Sequence, residues 1–128
     1  NIFGAQEKPD YAVVPSGIFS SPEIGDVGLT EAQARAQGLN VITSAFQFRE
    51  LGKAQAMGEL PGVFKLVADK SSGRLLGAHL AGAHATDLIA ECALALHMGA
   101  TVSDLARTIH AHPTLAEGVM EAAAGMTE

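Results

Sequence analysis

The sequence predicts an α+β domain in which an antiparallel β-sheet is flanked by α-helices. Between Val41 and Leu80 three strand-like runs follow one another across short turn signals, and after His84 the apolar period changes from two to that of a helix. At 128 residues the chain can bury the core of one domain without covalent staples.

Asn1 to Asp10 reads as loop, and with no initiator methionine the chain is expected to lie inside a longer gene product. From Val13 to Leu29, apolar residues (Ile18, Phe19, Ile24, Val27, Leu29) alternate with Pro and Gly, as in short irregular strands. Thr30-Glu31-Ala32-Gln33 matches a capping box, so a short alanine-rich helix should follow and stop at Gly38. Val41 to Phe48 carries Ile42, Phe46 and Phe48 at period two. Pro61-Gly62 turns into Val63 to Ala68, and Ser71-Ser72-Gly73 turns that run into Leu75 to Leu80. The simplest arrangement is a meander of about three strands, with His79 on the face away from Leu76, Ala78 and Leu80.

Leu88, Ile89, Cys92 and Leu96 then recur at helical spacing over Ala85 to Met98, and Gly99 ends the run. Leu94 and Met98 put apolar surface on the opposite side, which predicts a helix covered on two faces. Thr101-Val102-Ser103-Asp104 caps a short helix to Thr108. A last helix from about Leu115 carries Leu115, Val119, Ala122, Ala123 and Met126 on one stripe.

A formal charge of −6 without a Lys/Arg cluster gives no electrostatic footprint for nucleic acid. No apolar run approaches the roughly 20 residues of a membrane span, and the start lacks the basic-then-apolar pattern of a signal peptide. The single cysteine, Cys92, excludes an internal disulfide and a CxxC zinc site, and a cytoplasmic location is expected.

Cys92 lies on an apolar stripe and reads as a core thiol. His84 precedes a helix and His97 sits in its last turn, where a cation suits the dipole. No histidine stands in an HxxxH or HExxH arrangement, and His110 and His112 lack an obvious third ligand, so no metal is expected. In His110-Ala111-His112-Pro113-Thr114-Leu115-Ala116-Glu117, the last four residues read as a capping box behind a proline. The same Glu117 points back toward the incoming chain, where its carboxylate can accept from the His112 imidazole and prepare it for acid/base work. A carboxylate has two acceptor oxygens, so both readings stand together.

That octapeptide, followed by Glu121-Ala122-Ala123, resembles the C-terminal signature of dihydrolipoamide dehydrogenase and its relatives among the flavin-dependent pyridine nucleotide-disulfide oxidoreductases. The likeness continues through VPSGIFSSPEIGDVGLTE (residues 14–31), GVFKLVAD (62–69) and RLLGAH (74–79), covering nearly the whole chain. Ala111 and Leu115 favour the lipoamide branch, whereas Ala116 and Lys53 depart from a common serine and a frequent arginine.

The resemblance implies a dimerisation (interface) domain over 13–128, behind a tail of the FAD domain or a linker over 1–12. It implies that His112 acts as acid/base, in trans, on the partner subunit's redox disulfide and flavin, with Glu117 orienting it. The bond before Pro113 is expected to be cis, His112 and Pro113 to lie near the partner's flavin, and His110 and Thr114 to support them. Neither GxGxxG nor paired redox cysteines are present, so the fragment alone should bind no cofactor and have no activity. FAD, NAD and dihydrolipoamide are implied for the full-length homodimer, with NAD as hydride acceptor. A stand-alone self-association module, or the same domain of a glutathione reductase relative, are the alternatives.

Overall fold

The computed structural model describes residues 3–4 and 6–127, so part of the expected FAD-domain tail (Asn1, Ile2, Ala5), together with Glu128, lies outside the described residues. From residue 6 to the first strand the chain is irregular and mostly exposed. The described residues then form β1 (Ser16–Ile18), β2 (Ile24–Gly28), α1 (Glu31–Ala36), β3 (Val41–Gln47), α2 (Gly52–Met57), β4 (Val63–Asp69), β5 (Leu75–Ala81), α3 (Ala85–Met98), α4 (Val102–Arg107) and α5 (Glu117–Ala124).

The expected meander is β3–β4–β5, but the sheet has five antiparallel strands in the order β1-β2-β5-β4-β3. The β1–β2 hairpin joins the free edge of β5, a long-range pairing that local periodicity does not encode. Turn chemistry matches the sequence: Asp69 Oδ1 accepts from the main-chain N–H and the hydroxyl of both Ser71 and Ser72, at 2.7–3.1 Å. Those bonds hold its carboxyl down at about 2, with the Ser71 and Ser72 hydroxyls as the leading causes. Thr30 and Gln33 cap α1 reciprocally, as Thr101 and Asp104 cap α4.

Three differences have local causes. β3 stops at Gln47, and Phe48 turns inward through a single 3-10 turn (Phe48–Glu50) that leads into α2, a helix the apolar pattern did not signal. Near the start of β5 the register with β4 shifts: Val67 pairs Gly77 and Ala68 pairs Leu75, leaving Leu76 unpaired. The bulge reverses side-chain parity, so Leu75 joins the main core with Ala78 and Leu80 while Leu76 packs in the small cluster under α1. Leu76 was expected with Ala78 and Leu80. His79 does lie on the other face, half-buried, with Nε2 3.1 Å from the Leu29 carbonyl.

The main core lies between the sheet and α3, α4 and α5; α1 covers part of the opposite face through Ala34, Val41 and Val67. At its centre the rings of Phe48 and Phe64 stack at 4.5 Å, nearly parallel at 8°. Backbone closes on this pair without side chains: a Cβ at Gly82 would fall 2.5 Å from the Phe48 ring, and one at Gly118 would strike Phe64. Gly118 therefore lets the first turn of α5 rest directly on β4. The adjoining residue is Glu117.

Candidate functional site

The segment between α4 and α5 is shaped by side chains. Thr108 ends α4 by donating its hydroxyl to the Asp104 carbonyl at 2.8 Å, and Ile109 beyond it is 96 % exposed. The next ring, His110, turns inward: Nδ1 lies 2.8 Å from the Thr108 carbonyl oxygen and Nε2 lies 2.8 Å from Glu91 Oε1 on α3. Ala111 and His112 return to the surface, and the His112–Pro113 peptide is cis, as the resemblance implied; Ser21–Pro22 is cis as well.

His112 and Glu117 meet. His112 Nδ1–H donates to Glu117 Oε1 at 2.7 Å, while Oε2 of the same carboxylate accepts from the Thr114 main-chain N–H at 2.8 Å. Both oxygens are thus used, one to start the helix and one to orient the ring. The two bonds, Thr114's first and His112's second, lower the pKa of Glu117 and keep it ionised. The imidazole is 76 % exposed whereas its carboxylate partner is 15 % exposed. With Nδ1 turned to the carboxylate, Nε2 is the ring nitrogen left on the exposed side.

The expected capping box at Thr114 is only half formed, and α5 begins at Glu117 rather than near Leu115. The Thr114 hydroxyl is committed elsewhere, donating to the Ala111 carbonyl at 2.7 Å. Residues 115–119 enter the helix through tight bonds from Gly118 N–H to Leu115 and from Val119 N–H to Ala116, both 3.1 Å. The expected apolar stripe is intact: Leu115, Val119, Ala122, Ala123 and Met126 are all buried.

The other candidates do not join this group. Cys92 is fully buried, and burial pushes its thiol up to about 12, an inert core position. His84 adopts left-handed backbone at the start of α3 and gives that helix no side-chain cap. Glu23, from the β1–β2 connection, supplies the cap instead, accepting from Thr86 N–H at 3.2 Å and its hydroxyl at 2.6 Å. His97 is exposed at the end of α3. No group of three or more His, Cys, Asp or Glu side chains among the described residues is placed to hold a metal ion.

Sequence reasoning missed Glu91. Its signal was available: a lone acid in the apolar run between Leu88 and Leu96. A cavity of about 590 Å³ opens beside the turn, lined chiefly by Met57, Leu88, Pro113 and Leu115, with Lys53 and Asp87 among its polar residues.

The family profile described as the pyridine nucleotide-disulphide oxidoreductase dimerisation domain matches residues 14–123. Dihydrolipoyl dehydrogenase of Halobacterium salinarum is 49% identical over 122 residues, covering 95% of this chain and 26% of that protein. Dihydrolipoyl dehydrogenase of Thermus scotoductus is 52% identical over 110 residues, 86% of this chain and 24% of its own. The chain therefore spans about a quarter of the length of the curated relatives it matches. Among solved structures, LpdA from Mycobacterium tuberculosis superposes with a TM-score of 0.90 at 24% identity, covering 99% of this chain and 28% of that one, a likeness of fold. The HOCl-induced flavoprotein disulfide reductase RclA from Escherichia coli superposes at 0.85 and 26% identity, covering 93% and 28%.

Proposed function

The chain belongs to the dimerisation-domain family of the pyridine nucleotide-disulphide oxidoreductases, and on that premise we propose that it delivers His112 and Glu117, in trans, to the redox disulfide of a partner subunit in a dihydrolipoyl dehydrogenase. One observation supports this above the others: the dyad is assembled and aimed outward, while the chain's one thiol is sealed in the core. Nothing in this chain gives His112 a sulfur to act on. An acid/base half-site fits that arrangement, with dihydrolipoamide and the redox disulfide brought by the rest of the dimer.

In this reading His112 Nε2 takes the proton from a substrate thiol, and the electron pair left on sulfur makes the nucleophile. Glu117 keeps the Nδ1–H oriented and stabilises the imidazolium that forms. The sequence carries no GxGxxG, the glycine-rich strand-to-helix turn that cradles a dinucleotide pyrophosphate. α1 and α4 already satisfy N-terminal N–H groups with the side chains of Thr30 and Thr101. In this reading FAD and NAD belong to other domains of a full-length dihydrolipoyl dehydrogenase.

Two helices, α3 and α5, carry apolar faces that the sequence suggests for self-association. α5, read from sequence as an apolar face, spends that face on the core. α3, read from sequence as apolar on two sides and as a self-association surface, buries one side within this chain and leaves Leu94 and Met98 59% and 74% exposed on the other. We assign the outer face of α3 to a second copy of the chain, a contact in keeping with a dimerisation domain. Leu94→Glu with Met98→Glu in the full-length protein is expected to raise the dimer dissociation constant at least about a hundredfold by placing charge in a desolvated contact. Sedimentation velocity checks this, and an unaltered dimer would place the contact elsewhere.

A further inference from the structure

We propose that Glu91 and His110 form a positioning clamp that registers the His112-bearing segment on α3. The inference rests on the acid/base reading of His112 and extends it to two residues that touch no substrate.

Three observations carry it. Among the described residues, 109–113 make no main chain to main chain hydrogen bond, so side chains alone must hold this stretch. Downstream it is tied by the Thr114 hydroxyl to the Ala111 carbonyl and by the dyad itself. Upstream the tie is the His110 ring, spanning from the Thr108 carbonyl to Glu91 Oε1.

The second observation is saturation. Both ring nitrogens are engaged, Nδ1 by the Thr108 carbonyl and Nε2 by Glu91 Oε1, each at 2.8 Å. Such a ring has no nitrogen free for chemistry, and its side chain is only 7 % exposed. His110 is therefore spent on structure although it stands two residues from His112.

The third is location. Glu91 lies on α3 between Ala90 and Leu94, beside the outer face assigned above to the partner copy. The clamp thus couples the position of His112 to the helix whose outer face would meet the other subunit. A charge-assisted bond at a part-buried site suits that task, because removing the acceptor leaves a buried donor unpaired.

The test uses the full-length flavoprotein with Glu91→Ala, Glu91→Gln and His112→Gln. Two reactions are read: dithiol oxidation, and reduction of a dye by NADH through the flavin, which needs no dithiol acid/base. Glu91→Ala should lower kcat for the dithiol roughly tenfold through misplacement of His112, leaving KM for NAD and dye reduction unchanged. Glu91→Gln should restore most of that loss, because an amide oxygen accepts the same bond from His110. If His112→Gln is impaired while Glu91→Ala turns over normally, the clamp is refuted and the dyad stands. If His112→Gln is itself normal, the reading beneath it fails. A parallel loss of both reactions in Glu91→Ala would show general destabilisation and also overturn the clamp.

Discussion

His112→Gln in the full-length protein is expected to lower dithiol turnover by about 10²- to 10⁴-fold, the range contributed by a positioned general acid/base. Glutamine keeps the size and polarity of the ring but cannot cycle a proton near neutral pH. The Nδ1–H to Glu117 bond disappears with it, yet Glu117 keeps its second role as acceptor from Thr114 N–H, so α5 should start where it does now. The loss should therefore fall on kcat for the dithiol, with flavin content, dimerisation and dye reduction retained. Rapid-mixing kinetics of flavin reduction by dihydrolipoamide checks this. A variant with normal reduction would remove His112 from the chemistry.

Phe64→Ala should give the largest loss of stability, about 3–5 kcal/mol, from lost burial plus an unfilled cavity. Phe64 is fully buried, stacks on Phe48, and lies where Gly118 brings α5 onto β4. Gly118, which faces the Phe64 ring from α5, has no side chain to fill the gap. That loss is a large share of the 5–15 kcal/mol typical of a domain. Since Glu117 adjoins Gly118, the dyad should loosen as well as the core. Chemical denaturation of the isolated domain measures the first effect; a loss under about 1 kcal/mol would mean that the core closes over the gap.

How much of this was legible in the sequence depends on whether the cause was local. Thr30 with Gln33, Thr101 with Asp104, Asp69 with its two serines, and Gly38 and Gly99 at helix ends act within a few residues, and each appears where its chemistry puts it. The pairing of β2 with β5 joins segments about fifty residues apart, and α3 takes its cap from Glu23 in a different element. Leu76 was assigned to the wrong face because a bulge inverts parity without changing composition. The five-residue reach from His112 to Glu117 was legible because one turn closes it. The partner of His110 lies nineteen residues back on another helix, and the local pattern marked Glu91 only as a lone acid in an apolar run, not what it meets.

The central claim is that His112 works on the other subunit, and mixed dimers test it most directly. One chain carries His112→Gln with intact redox cysteines; the other carries inactivated redox cysteines with intact His112. Each homodimer is expected to keep about 1 % of wild-type dithiol turnover or less. After unfolding and refolding together in equal amounts, about half the dimers should be mixed, and each should hold one intact site, restoring about a quarter of wild-type activity. Mixed dimers that remain as inactive as the parents would contradict action in trans.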